Sequence, residues 1–466
     1  MLNLQLPVKI CIMKKILRRL PWLILLGLIL FAFIYAWPRV PIITEFAAKG
    51  MCSSVFITGK DPERVMQEDL SFFPISLAKT EVNYGERSVT AKVFGLAGRK
   101  AVFREGLGSV IVLDVPEPEL RSDSLALPDP GYSQDTLPWP KGDVLDPTMP
   151  EGVNYTRLEA VVAEAFDPPD TKPLKKTLGV AVVYRGQLIA EKYLEGYDYH
   201  TRFHGWSMTK SLDATLVGIL SGKGLMDVGA KADFPEWETD SRQDITLGNL
   251  LRMTSGLEWV ENYFTISQAT LMLMQSSDMV RYVLSCPPAY PPGTHWSYSS
   301  GDVNLVSGLV RRAIGDDEQY HRFPYTGLMY RIGMLHTLME TDAAGNFVAS
   351  SYSYGTTRDW ARLGLLYLNN GVFEGDTILP PGWVDYVRKP TPLSYGIYGA
   401  GFWLMESNPL NKLENVPGDI FFADGFLGQR IYIIPSKDLV VVRMGYSLKN
   451  FSLNDFLRDI LSTLPG

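Results

Sequence analysis

Ser207-Met208-Thr209-Lys210 places a hydroxyl and an amine one helical turn apart. Residues at this spacing share a helix face, so the two groups can meet. A serine hydroxyl is a weak nucleophile at neutral pH until a base takes its proton. A partly desolvated lysine beside it can be that base. The pattern points to acyl transfer through a Ser-x-x-Lys nucleophile. After Ser207, Leu212, Leu216, Ile219 and Leu220 recur at helical spacing until Gly222-Lys223-Gly224 stops the run. A helix opening at Ser207 would also turn its positive dipole end toward a developing oxyanion. A second match, Ser76-Leu77-Ala78-Lys79, runs instead into the turn Asn83-Tyr84-Gly85 and a strand-like stretch, so Ser207 is the candidate nucleophile.

Such a site needs a second proton carrier and donors for the oxyanion. Tyr298 is the candidate carrier. It lies in the polar loop from Pro292 to Asp302, just before a helical pattern over 303–314, and a phenol close to an ammonium group can titrate low enough to shuttle a proton. Ala423-Asp424-Gly425-Phe426-Leu427-Gly428-Gln429 is the third element. Its glycines would let a strand edge approach a substrate closely, so that the backbone N–H groups of Phe426 and Ser207 form an oxyanion hole. Ser300, Asp424 and Gly425 are the candidate substrate-binding positions.

The elements that must position these groups follow from patterning. Residues 1–40 carry six basic side chains and no acids, so of the net charge of −7 the remainder bears −13. A body that acidic is a poor candidate for nucleic-acid binding. The apolar run Pro21–Trp37 is 17 residues long and follows Lys14, Lys15, Arg18 and Arg19. It reads as a transmembrane anchor or a signal within residues 1–40, with the body outside the cytoplasm as part of the cell envelope. Met13-Lys14-Lys15 resembles a leader start. Cys52 and Cys286 then lie where a disulfide is allowed, although two free buried thiols fit as well.

Residues 41–114 form a small β-rich region with runs at 88–94 and 109–113. Residues 115–150 are proline-dense and read as a linker or a strap laid over a surface. From 151 to 466 the pattern becomes α/β. Hairpins around Arg185-Gly186 and Pro435–Asp438 bracket a helix-rich middle, and a last amphipathic helix spans roughly 454–464. Strands at both ends predict one antiparallel sheet built from both halves of this region, flanked by helices, with an all-helical lobe across a cleft.

Taken together, the chain resembles the beta-lactamase-related serine hydrolases, which include class C beta-lactamases, penicillin-binding D,D-peptidases, esterases and 6-aminohexanoate-dimer hydrolase. The resemblance rests on Trp206–Ser211, Leu250–Leu257, Tyr298–Asp302, Arg358–Gly364 and Gly428-Gln429, and is strongest to the aminohexanoate-dimer hydrolase branch. It implies a beta-lactamase/transpeptidase-like fold, a covalent acyl-enzyme on Ser207, and proton transfers through Lys210 and Tyr298. Beta-lactamases of this type have Tyr-x-Asn where this chain has Ser300, and Lys-Thr-Gly where it has Ala423-Asp424-Gly425. The missing lysine removes a cation that would hold a substrate carboxylate, and Asp424 would repel one if it faced the cleft. A small-molecule ester or linear amide therefore fits better than a beta-lactam. A cell-wall D,D-peptidase and a non-catalytic envelope binding module are the alternatives. The chemistry calls for no metal or cofactor: His200 and His204 are four apart but lack a His-Glu-x-x-His context, and no Gly-x-Ser-x-Gly elbow or nucleotide-binding glycine motif occurs.

Overall fold

In the computed structural model the described residues are 19–22, 24–27, 31, 33–35, 37–169, 171–405, 416–447 and 450–465. The central element is a six-stranded antiparallel sheet. Its order runs Trp403–Leu404, Phe421–Gly425, Gln429–Ile434, Leu439–Gly445, then β5 (Thr177–Tyr184) and β6 (Gln187–Tyr193). The last long strand therefore pairs with the first strand of this sheet, Val441 opposite Val182, which closes the two sequence halves into one sheet.

β5 is buried along its whole length because both faces are covered. Val180, Val182 and Tyr184 pack beneath helices Tyr155–Glu164 and Leu453–Leu461. Leu178, Ala181 and Val183 face the large core that also takes in helix Thr357–Leu368 and the helical lobe. The chain from Pro138 to Asp143 lies across the surface of that core as a strap. Asp143 pairs with Arg358 (3.1 Å) and Arg362 (2.7 Å), and Trp139 Nε1 donates to the Gly186 carbonyl (2.9 Å).

Two expectations about the N-terminal part are corrected. Among the described residues no helix is long and apolar enough to cross a membrane, so the transmembrane element is not supported. Residues 1–18, and several between 23 and 36, lie outside the described residues. The region after it is not simply β-rich. It begins with the helix Val40–Phe56, which carries Glu45 and Lys49 and sends its apolar side chains into protein. This helix packs on a four-stranded antiparallel meander, β1 (Ala78–Asn83), β2 (Ser88–Val93), β3 (Leu96–Arg104) and β4 (Gly108–Ile111). Leu338 and Tyr354 of the larger domain belong to the same apolar cluster, so the N-terminal module shares a core with it.

A buried ion pair fixes the junction. Lys49 Nζ lies 2.5 Å from Glu340 Oε2, and the Glu340 carboxylate is fully buried. Ser53 Oγ donates to Glu340 at 2.8 Å and the Ser109 N–H at 2.6 Å. A charge taken out of water needs these partners to offset its desolvation. Cys52 and Cys286 are free and buried.

Candidate active site

Ser207 sits in the 3-10 turn Trp206–Met208, two residues before helix Thr209–Gly222 begins. The nucleophile thus precedes the helix rather than forming its first turn. Trp206 enters the turn with φ at +48°, a conformation that costs free energy for a residue with a bulky side chain. Its ring is held by stacking on His204, 3.9 Å between centroids. Gly425, at the end of the neighbouring strand, is required for close approach: a Cβ there would come within 2.4 Å of the Gly205 carbonyl oxygen. The following turn is closed by the Gly428 N–H donating to the Gly425 carbonyl (3.1 Å), which leaves the Phe426 N–H outside the turn's own hydrogen bonding.

Lys210 is almost fully buried. Its Nζ lies 3.0 Å from Ser207 Oγ, 3.1 Å from Ser300 Oγ and 2.8 Å from the Ser350 carbonyl oxygen. Burial pushes its pKa down to about 8, against the opposing pull of Glu261. Ser300 opens helix Ser300–Ile314. It donates from Oγ to Glu261 Oε1 (2.5 Å), and its backbone N–H reaches Glu261 Oε2 (2.9 Å). The same carboxylate accepts from Tyr263 OH (2.5 Å) and Trp259 Nε1 (2.6 Å).

These contacts fix where the lysine lone pair points once the amine is neutral. A neutral amine has two N–H bonds. The Ser350 carbonyl can only accept, and the Ser300 hydroxyl has committed its own hydrogen to Glu261, so both take an N–H from Lys210. The lone pair is left for the Ser207 hydroxyl. Glu261 is thus part of the site and was not apparent from the sequence. Its one local cue is an acid set among aromatics, Trp259 to Phe264, directly after the Leu250–Leu257 string.

The structure brings Tyr298 to the same place: Lys210 Nζ lies 4.9 Å from its ring centroid, and the Ser207 hydroxyl is near enough to act on its titration. The expected lowering of its pKa is not found. Burial dominates and pushes the phenol well above its usual value, the nearby Ser207 hydroxyl only partly opposing this. Tyr298 is therefore a phenol in the resting site, and Lys210 is the candidate base.

Asp424 pairs with Arg430, directly opposite on the neighbouring strand, while Ala423 is buried in the core. The charge of Asp424 is compensated there, and the residue is absent from the wall of the cavity at Ser207. The condition for repelling a substrate carboxylate is not met. His200 and His204 do not converge: His204 Nε2 bonds the Ser351 carbonyl oxygen (2.8 Å), whereas His200 lies near His336 and Asp143, whose carboxylate is held by two arginines.

Comparison with known proteins gives the family and the fold. The family model described as Beta-lactamase matches residues 166–455. The 6-aminohexanoate-dimer hydrolase of Paenarthrobacter ureafaciens is 22% identical over 338 residues, 64% of this chain and 80% of that protein. Two solved structures share the fold. A penicillin-binding protein homologue from Caulobacter crescentus has a TM-score of 0.54 at 16% identity, over 69% of this chain and 100% of its own. A family VIII carboxylesterase has a TM-score of 0.53 at 16% identity, over 69% and 99%.

Proposed function

This chain belongs to the beta-lactamase family, and from that premise we propose that it is a serine hydrolase that cleaves an ester or amide through an acyl-enzyme on Ser207. One observation carries the reading: a buried amine, its pKa lowered to about 8, lies 3.0 Å from the Ser207 hydroxyl. Lys210 takes the Ser207 proton as Oγ bonds to the substrate carbonyl carbon. The backbone N–H groups of Ser207 and Phe426 receive the oxyanion. As the tetrahedral species collapses, the bond to the leaving alcohol or amine breaks and the proton passes from Lys210 through Tyr298 to the departing atom. A phenol of high pKa suits this relay, because it gives up one proton only as it receives another. Water then attacks the acyl-enzyme by the reverse proton path.

The substrate class follows from what position 423 lacks. Ala423 offers no cation for a carboxylate, which disfavours beta-lactams and peptide C-termini and supports a neutral ester or a small linear amide. The test is hydrolysis of p-nitrophenyl butyrate together with labelling by a fluorophosphonate. Ser207→Ala should lose both, and the mass added to the unaltered protein should map to Ser207. Hydrolysis that survives the substitution refutes the assignment.

A further inference from the structure

A cavity of about 600 Å³ opens onto Ser207. Ser207, Trp206 and Phe426 form its inner end, and its walls come from two sources. The N-terminal module supplies Ile43 and Phe46, and the larger domain supplies Leu273 and Met274. Phe46 of the N-terminal helix stacks on Trp206 beside the nucleophile, 5.9 Å between centroids with the rings 15° apart. Arg39 is the one charged side chain in the wall among the described residues, and its guanidinium already lies over the Tyr35 ring. At the outer end Phe73 is 74% exposed, Phe94 82% and Phe264 69%. These rings are too exposed to be serving the core. Phe94 stands at the tip of the β2–β3 hairpin with φ at +51°, where a polar or glycine residue would be the ordinary choice.

A cavity of this size, lined almost wholly by apolar groups and with one reactive hydroxyl at its end, fits an aliphatic chain attached to a carbonyl. Its orientation is also defined. Tyr298, the donor to the leaving group, is not in the cavity wall and packs instead against Trp403 and Tyr398, at 5.0 and 5.9 Å between ring centroids. The leaving group therefore departs on the Tyr298 side of Ser207, and the cavity lies on the acyl side.

We propose that this cavity is an acyl-chain pocket, and that the substrate is an ester or amide of a medium- to long-chain fatty acid whose tail lies between the N-terminal module and the catalytic domain. The proposal rests on the reading of Ser207 as nucleophile. Ser207 Oγ forms an ester with the fatty acyl carbon while the bond to the alcohol or amine breaks. The displaced group leaves with the proton given up by Ser207, and water then releases the fatty acid. Because each methylene leaving water contributes about fourfold to binding, chain length sets the rate until the pocket is full.

The test uses the full chain and p-nitrophenyl esters from acetate to dodecanoate, each below its aggregation limit. We expect kcat/KM to rise at least about tenfold from butyrate to decanoate. Leu273→Trp, which narrows the pocket, should lower the decanoate-to-butyrate ratio of kcat/KM by about tenfold, and Phe94→Ser at the exposed mouth should lower it less. A parallel arm follows oleate release from dioleoyl phosphatidylglycerol vesicles. Release assigns the chain to a bilayer lipid; chain-length selectivity without release assigns it to a monomeric ester. A flat chain-length profile in an enzyme that a fluorophosphonate still labels at Ser207 overturns the acyl pocket alone. Loss of labelling in the unaltered protein overturns the catalytic reading beneath it.

Discussion

The two walls of the cleft are built on opposite principles. On the side of the larger domain, Lys210, Ser300 and Glu261 form a polar network, with the Tyr298 ring beside Lys210. On the side of the N-terminal module, the groups near Ser207 are apolar rings and aliphatic side chains, and the buried charge of Lys49 is spent on attachment to Glu340. On the proposed function, proton chemistry belongs to one wall and substrate shape to the other. The module thus resembles a second half of the binding site more than a spacer.

The hardest test of the polar wall is Lys210→Met, which keeps the length of the side chain and removes the base. A fall in kcat of about 10⁴-fold is expected, with the N-terminal module still folded. In the unaltered protein kcat/KM should rise with pH through about 8, since the amine acts only when neutral and burial has lowered its pKa to about 8. A rate limb near 10 would show that Lys210 is not the titrating base.

Attachment of the apolar wall is next in size. Lys49→Met leaves Glu340 buried without its cation and should cost about 3–5 kcal/mol, because removing one partner exposes the full desolvation cost of the other. Thermal unfolding and limited proteolysis within residues 40–113 would report it. An unchanged melting temperature would mean that the shared apolar core, rather than the ion pair, holds the module. Tyr298→Phe removes a hydroxyl from the relay and should lower kcat by about 10²-fold with little change in KM, as measured on a substrate with a poor leaving group.

Legibility in the sequence followed the same division. Ser207 and Lys210 could be read because their relation is local, three residues on one helical path. The sheet could be read because its hairpins carry turn residues between alternating strands. The helix Val40–Phe56 could not. It is buried on most sides, between the meander and the larger domain, and so lacks the single apolar stripe that marks an amphipathic helix. The more continuous apolar run upstream drew the membrane reading instead. Asp424 misled for a related reason. Its sequence neighbours say nothing of Arg430 across the strand, and the side to which a strand residue points depends on register. Glu261 stayed hidden because its meaning depends on Ser300, 39 residues away.

Glu261 also provides the finest discrimination between the walls. Its charge raises the lysine pKa against burial, and its hydrogen bond from Ser300 keeps that hydroxyl from donating to the lysine lone pair. Glu261→Gln removes the charge at nearly constant shape. The Lys210 pKa should then fall, so the acid limb of kcat/KM should move to lower pH by about one unit. The glutamine amide can also donate to Ser300, which frees the serine hydrogen to compete for the lysine lone pair, so the plateau rate should drop by about tenfold. A residue that only braced the loop from Trp259 to Phe264 would lower the rate without moving the limb. The displacement of the limb, read on a butyrate ester whose short chain makes little use of the apolar wall, therefore separates an electrostatic role from a structural one.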